Sequence, residues 1–342
     1  MIMLFPFWGK GHPGNGRFER YIDTGRSFLE MTSLLEADIA VLPVPWELVM
    51  NSQPALDLAH EFARKVKSAG KKVVIFFWSD SDEAVPIENA VVFRTSLYRS
   101  KRRPNEYAMP AWGEDIVGKY LGGQLPVREK SARPVAGFCG FAYTRKTRLE
   151  RKLKDAVKTS AGHVGIQLGR SKGKPKLTHL ARTEALRALS KSRLIDTNFI
   201  FKDRFLGGAK LSDGRIDPNR WEKAQLEFVQ NLTTSDYILC SRGAGNFSYR
   251  LYEALSCGRI PIFLDTDCVL PYDFVLDWKK YCVWVHEDQI PMIADRLVEF
   301  HSSLSSREFV EMQRECRRFW KNWLSPEGFF ANLHRHLKMN TM

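Results

Sequence analysis

"DYILCSRGAGNFSYRLYEALSCGRIPIFLD", Asp236–Asp265, decides how the chain is read. "DYILC" is short, apolar and followed by a glycine-rich turn, the pattern of a buried strand. The turn ends at Asn246 or Phe247, and from Ser248 the spacing becomes helical, with Leu251, Ala254 and Leu255 at i, i+3 and i+4. Gly258 closes that helix as the residue past its C-cap, and Pro261 prevents a restart. "IPIFL" is a second apolar strand. A strand, turn, helix, strand unit joins two parallel strands by a right-handed crossover. Ligands of such sheets bind beyond the carboxyl ends of the strands, where the Arg242–Phe247 turn falls. The helix start adds unpaired N–H groups and a partial positive charge, which suit an anion. Arg250 and Glu253 share a helix face opposite Leu251 and Leu255. From spacing alone they fit either a surface ion pair or an arginine clamp on a diphosphate beside a carboxylate that binds hydroxyls.

The same residues carry a resemblance. Cys240-Ser241-Arg242-Gly243, Asn246-Phe247-Ser248-Tyr249-Arg250, Tyr252-Glu253-Ala254-Leu255, Gly258, Ile260-Pro261, Leu270-Pro271 and Leu276-Asp277-Trp278 follow one another in order and in register. Together they resemble the signature of exostosin-type glycosyltransferases, glycosyltransferase family 47. Ser241 stands where that family often has proline, and Tyr272 where it often has phenylalanine. "RPVAGFCGFAYTRKTRLERKL" resembles the family's entry to its second domain, whereas the first 130 residues match loosely. The resemblance implies an α/β fold of GT-B architecture, two Rossmann-like domains facing across a cleft. It implies transfer with inversion from a nucleotide-diphosphate sugar, a UDP-sugar by preference, to a hydroxyl of a glycan or lipid-linked glycan. Carried onto this chain, Arg242, Gly243, Ser248 and Arg250 would hold the donor diphosphate and Glu253 the ribose. No metal or other cofactor is expected.

The rest of the chain fits that frame. Its 342 residues accommodate two domains, and 44% hydrophobic content supplies two cores. The expected division is an acceptor domain over 1–130, a nucleotide-sugar domain over 131–318, and a helical segment over 319–342 that returns to the first domain. In the first domain, strands are expected at 2–8 and 38–44, in "KKVVIFFW" and in "AVVFRT". Helices are expected at 26–36 and in "PALDLAHEFARKVKSAG". "GRSKGKPKL" reads as a mobile loop. Near the end, Phe309, Met312, Cys316, Phe319, Trp320 and Trp323 form a helical stripe that fits core packing better than membrane docking.

An inverting transferase also needs a base to take the acceptor proton. His12, in the loop after the first strand, and Asp80, after "VVIFFW", are the candidates, with Glu19, Glu106 and Asp115 behind them. Two Asp-x-Asp triplets, Asp80–Asp82 and Asp265–Asp267, raise a metal-dependent GT-A alternative. The six cysteines lack metal spacing and read as buried, reduced thiols of a cytoplasmic protein. No stretch approaches eighteen apolar residues. The net charge of +13 gathers at 99–104, 144–154, 169–176 and 314–321. That balance suits anionic partners: the nucleotide, an anionic membrane surface met peripherally, or, as an alternative function, a polyanion bound to a degenerate transferase fold. No nucleic-acid reader motif is present, and "GAGNFS" lacks the spacing of a dinucleotide fingerprint.

Overall fold

The computed structural model describes residues 16–142, 177–202, 205–211, 213 and 215–338. His12, the expected strand at 2–8, the basic run 144–154 and the expected loop at 169–177 up to Lys176 lie outside them.

Two parallel sheets organise these residues. The first contains β1 (Ala40–Val41), β2 (Val73–Phe77), β3 (Ala90–Arg94) and β4 (Glu106–Ala108), in that order across the sheet. Both β2 and β3 are buried along their whole length and apolar except for Arg94 at the end of β3, as strands covered on two faces must be. Helix α1 (Gly16–Phe28) precedes the sheet, and α2 (Gln53–Ser68) connects β1 to β2. The helix expected at 26–36 is corrected to α1, ten residues earlier at its start. The strand expected at 38–44 shrinks to two residues because Pro43 and Pro45 deny it ladder donors.

A short helix α3 (Ile116–Tyr120), capped by Asp115 on the Gly118 N–H at 3.1 Å, leads towards the second sheet. That sheet runs β6-β5-β7-β8-β9, all parallel, from β5 (Val135–Phe141), β6 (Asp196–Lys202), β7 (Tyr237–Cys240), β8 (Ile260–Asp265) and β9 (Val283–His286). Helices α4 (Leu177–Lys191) and α5 (Pro218–Thr233) precede β6 and β7; α6 (Tyr249–Ser256) crosses from β7 to β8. The β7–β8 register, Tyr237 on Ile260 and Cys240 on Phe263, is the parallel pair read from the sequence. Pro261 is tolerated because pairing with β9 begins one residue later, at Ile262. Gly258 has φ 64°, and a Cβ there would come within 2.7 Å of the Gln313 carbonyl, so the helix end requires glycine.

After α7 (Ile293–Ser303), helix α8 (Ser306–Phe319) starts with a capping box between Ser305 and Glu308. Its Phe309, Cys316 and Phe319, with Trp320 beyond, are buried in the core of the second sheet. A π-turn over Trp320–Leu324 redirects the chain into α9 (Pro326–Lys338). There Phe329, Phe330 and Leu333 join Tyr21, Phe93 and Tyr107 of the first sheet's core. All six cysteines are free and buried.

Candidate active site

A cavity of about 390 Å³ opens at the carboxyl ends of β5, β6 and β7, with Trp78, Ser79 and Asp80 from the end of β2 on one wall. The turn read from the sequence forms its base: Ser241, Gly243, Ala244, Phe247, Ser248, Arg250 and Glu253 all line it. Ser248 is the N-cap of α6, and its hydroxyl makes no capping bond, so the first turn of the helix faces the cavity without a side-chain acceptor of its own.

Two guanidinium groups converge here. Arg250 donates from Nη2 to the Cys139 carbonyl at 2.7 Å, and its guanidinium carbon lies 4.7 Å from the Phe138 ring centre. Its Nε is buried without a hydrogen-bond partner. Arg182, from α4, donates from Nε to Ser241 Oγ at 2.7 Å, from Nη1 to the Phe141 carbonyl at 3.0 Å, and from Nη2 to the Arg242 carbonyl at 2.7 Å. Burial, and then the neighbouring Arg250, pull the Arg182 guanidinium down to about 9. Among the described residues, neither arginine forms an ion pair with a carboxylate. A buried charge without counter-charge is costly, and Arg182 and half-buried Arg250 repel each other, so among the described residues this end of the cavity favours an anion.

The sequence-derived residues are not all gathered. Gly243, Ser248, Arg250 and Glu253 line the cavity; Arg242 does not. Its guanidinium turns over the Tyr98 ring at 5.1 Å and donates to the Ala244 carbonyl at 3.1 Å, holding the turn in shape. Arg182 faces the cavity and was missed, because one basic residue among several on an amphipathic helix carries no local signal.

Asp80 joins the cavity from the opposite sheet. Its Oδ1 accepts the Gly245 N–H at 2.9 Å, and a Cβ on Gly245 would meet that oxygen at 2.7 Å, so the two loops approach this closely only with glycine there. The next N–H, of Asn246, donates to Ser96 Oγ at 2.9 Å. Buried Arg94 and Thr95 fasten the Asp80 loop from beneath: Arg94 donates to the Ser81 carbonyl at 2.8 Å, and Thr95 Oγ1 to the Ser79 carbonyl at 3.0 Å. The other carboxylates of the two Asp-x-Asp triplets are engaged elsewhere: Asp82 with Lys101, Asp265 with Arg99 at 3.3 Å, and Asp267 with the Ser100 N–H at 3.1 Å. Asp115 pairs with Arg317 at 2.6 Å, and Glu106 with Arg94 at 3.0 Å, which gives two of the three weaker base candidates structural roles; the third, Glu19, is exposed on α1 and lines no part of the cavity.

With this geometry in hand, similarity to known proteins is informative. Residues 186–300 match the Exostosin GT47 domain. Exostosin-1 of Drosophila melanogaster is 26% identical over 114 residues, covering 33% of this chain and 14% of that protein. Exostosin-2 of Homo sapiens is 31% identical over 113 residues, covering 32% of this chain and 15% of that protein. The chain therefore spans a small part of these relatives. The crystal structure of TarM aligns over 79% of this chain and 55% of that one at 11% identity, with a TM-score of 0.33, a likeness too slight to define the fold. The matched span contains the glycine turn, Arg250 and Glu253, so the similarity to exostosin-type glycosyltransferases covers the base of the cavity.

Proposed function

We propose that the chain transfers a sugar from a nucleotide-diphosphate donor, a UDP-sugar by preference, to a hydroxyl of a glycan or lipid-linked glycan, with inversion, in a GT-B arrangement. In this reading 1–130 binds the acceptor, 131–318 the donor, and 319–342 returns to the first unit. The observation that carries it is the arginine pair: buried Arg182 and half-buried Arg250, both lining one cavity and without a carboxylate partner among the described residues, beside the uncapped start of α6. A diphosphate supplies the missing negative charge and the acceptor oxygens that planar guanidinium groups clamp. Ser248 and Gly243 would complete its seat, and Glu253, three residues along α6 from Arg250, would take the ribose hydroxyls.

The chemistry follows from what the walls bring together. The acceptor oxygen attacks the anomeric carbon as the bond to the diphosphate breaks, and a base takes the hydroxyl proton. Asp80 is our candidate base, with His12 the other. The Gly245 N–H fixes Asp80 Oδ1, leaving Oδ2 for the acceptor hydroxyl. Negative charge developing on the leaving diphosphate is met by Arg182 and Arg250 together with the α6 dipole, which does the work a divalent cation would do in a metal-dependent transferase. Calorimetric titration with UDP tests the donor seat: binding is expected for the intact chain, and no measurable binding overturns it. Transfer in excess EDTA tests the metal-free step, with retained activity expected and manganese-restored activity the contrary outcome. Asp80→Asn should cost about 10²–10⁴-fold in turnover and leave UDP affinity nearly unchanged.

A further inference from the structure

Helix α5 presents two apolar faces, one packed in the core and one turned to the cavity. Val229 and Leu232 are buried against the second sheet. Trp221, Ala224, Gln225 and Phe228, at i, i+3, i+4 and i+7, form a second stripe that lines the cavity, with Phe228 also touching the core at its edge. The stripe is half-buried along its length. Its position is held from both ends. Asp217 caps α5 by accepting the Asn219 N–H at 3.0 Å and the Arg220 N–H at 3.2 Å. On the facing side, Gly207 has φ 63°, and a Cβ there would stand 2.9 Å from Ala224 Cβ, so the Phe205–Gly208 turn closes in on the helix at mid-stripe.

The stripe is continuous with the cationic end. The Arg250 guanidinium carbon lies 6.0 Å from the Phe228 ring centre as well as 4.7 Å from that of Phe138. One cavity therefore has two arginines with hydroxyl groups at its base, and an α5 wall with a tryptophan, a phenylalanine and one amide side chain, the aromatic rings of Trp78, Phe141, Phe247 and Tyr249 lining the rest. A ligand that satisfies both ends carries anionic oxygens at one terminus and a flat, apolar-faced ring with hydrogen-bonding edges at the other.

We propose that the Trp221–Ala224–Gln225–Phe228 face of α5 seats the nucleobase of the donor. The heterocycle stacks on Trp221 and Phe228, and Gln225 offers an amide donor and acceptor to its edge. The assignment rests on the reading that Arg182 and Arg250 hold the diphosphate. It places the base on the α5 wall and Asp80 on the wall from the end of β2, with the sugar between them.

Calorimetry with two probes separates this proposal from that reading. UDP engages both ends of the cavity, and inorganic pyrophosphate only the cationic one. Trp221→Ala and Phe228→Ala are each expected to weaken UDP roughly ten- to a hundred-fold and to leave pyrophosphate within about two-fold. Phe228→Leu keeps the apolar packing and removes the stack, so it guards against a variant that merely unfolds; it should weaken UDP selectively as well. Arg250→Ala should weaken both probes. If the α5 variants bind UDP as the parent does while Arg250→Ala loses both ligands, the base lies elsewhere and the diphosphate seat stands. If the α5 variants lose UDP and pyrophosphate in parallel, the stripe only supports the cationic end, and the proposal fails. If Arg250→Ala binds pyrophosphate as well as the parent does, the diphosphate reading itself has failed.

Discussion

The basic turn after β3 and the arginine pair above α6 look alike as composition and differ in what neutralises them. In the turn, Arg99 meets Asp265 at 3.3 Å, Lys101 meets Asp82, Arg102 meets Asp273 at 2.6 Å, and Arg103 meets Glu106 at 3.5 Å. Several of these contacts run from the first sheet to the loops of the second, and Arg99 adds a bond to the Cys268 carbonyl at 3.1 Å. These cations are internal fasteners. Arg182 and Arg250 have only carbonyl, hydroxyl and ring partners in their described surroundings. The lesson is that a net charge of +13 locates no site; what locates one is cations left without carboxylates in a buried place.

The sharpest way to break this comparison is to remove a counter-charge from the paired class. Arg94 and Glu106 are the most buried such pair, with side chains 2% and 4% exposed. Glu106→Ala should cost about 3–5 kcal/mol in urea unfolding, because it strands a guanidinium in the core. Glu106→Gln, which keeps a hydrogen-bond acceptor, should cost less. A loss below about 1 kcal/mol for Glu106→Ala would mean that the carbonyls of Ser81 and Glu83 suffice for Arg94, and that pairing is not what distinguishes the two classes.

The unpaired class should behave in the opposite way. Arg250→Ala removes one of two like charges that repel, so the unliganded protein should lose little stability, or gain some. Nucleoside-diphosphate affinity should fall roughly ten- to a hundred-fold, the equivalent of about 1.5–3 kcal/mol for a charged hydrogen bond to phosphate. Unfolding in the absence and presence of UDP checks both halves. A variant as destabilised as Glu106→Ala would make Arg250 a structural residue.

The stretch from Tyr237 to Asp265 was legible because its information is local: a glycine turn, a helix spacing and a C′ glycine each act within a few residues. Ser248 as helix start and Gly258 as stop both follow from backbone chemistry that any chain obeys. Arg182 was not legible, since it reaches Ser241 from 59 positions away. Nothing short of the β5–β6 crossover brings them together. The α5 stripe was equally hidden, because apolar residues at helical spacing have the same pattern whether they cover a core or a ligand. Helix α1 was misplaced for a different reason: "GRFERYIDTGRSF" mixes glycine, charge and aromatics without a clean period. Its helicity is supplied by packing, with Tyr21 buried against Trp112 at a ring distance of 4.5 Å.

A third kind of basic group lies between the two classes. His336 of α9 sits among Phe93, Tyr107, Tyr272 and Phe274, with ring distances of 4.7–5.0 Å. Burial pulls it down to about 4 against the opposing pull of the Leu333 carbonyl, with nearby Arg102 and His334 adding less. It avoids needing a counter-charge by staying neutral. In the unfolded chain it takes up a proton as pH falls below its ordinary value, whereas the native ring resists until about 4. The folded state therefore has full stability from this group above the ordinary value and loses it progressively down to the native one. Between roughly pH 7 and 5 the loss should be about 2 kcal/mol. His336→Phe should flatten that part of the pH profile; an unchanged slope in urea midpoints would assign the acid sensitivity to other groups.

The smallest effects are expected at exposed paired cations, and these bear on the membrane. We propose that the chain meets anionic membranes peripherally, through basic residues that its own carboxylates do not claim. In the run 314–321, Arg314 pairs with Glu311 at 3.4 Å, Arg317 with Asp115 at 2.6 Å, and Arg318 with Glu311 and Glu315. The Arg317 pair is buried, whereas the Arg314 and Arg318 pairs are exposed and screened, so Arg318→Ala should leave the unfolding midpoint nearly unchanged. Its carboxylate neighbours also cancel most of its attraction to an anionic leaflet, where a free Lys or Arg gains roughly 1 kcal/mol. Co-sedimentation with phosphatidylserine vesicles at low salt should therefore be salt-sensitive for the parent and almost unchanged in Arg318→Ala. Neutralising the basic residues of 144–154, which lie outside the described residues, should reduce it several-fold. Equal retention of the parent by anionic and neutral vesicles would remove the membrane proposal. A large loss in Arg318→Ala would show that an ion-paired cation still acts on a distant partner, and the line drawn between the two classes of arginine would have to move.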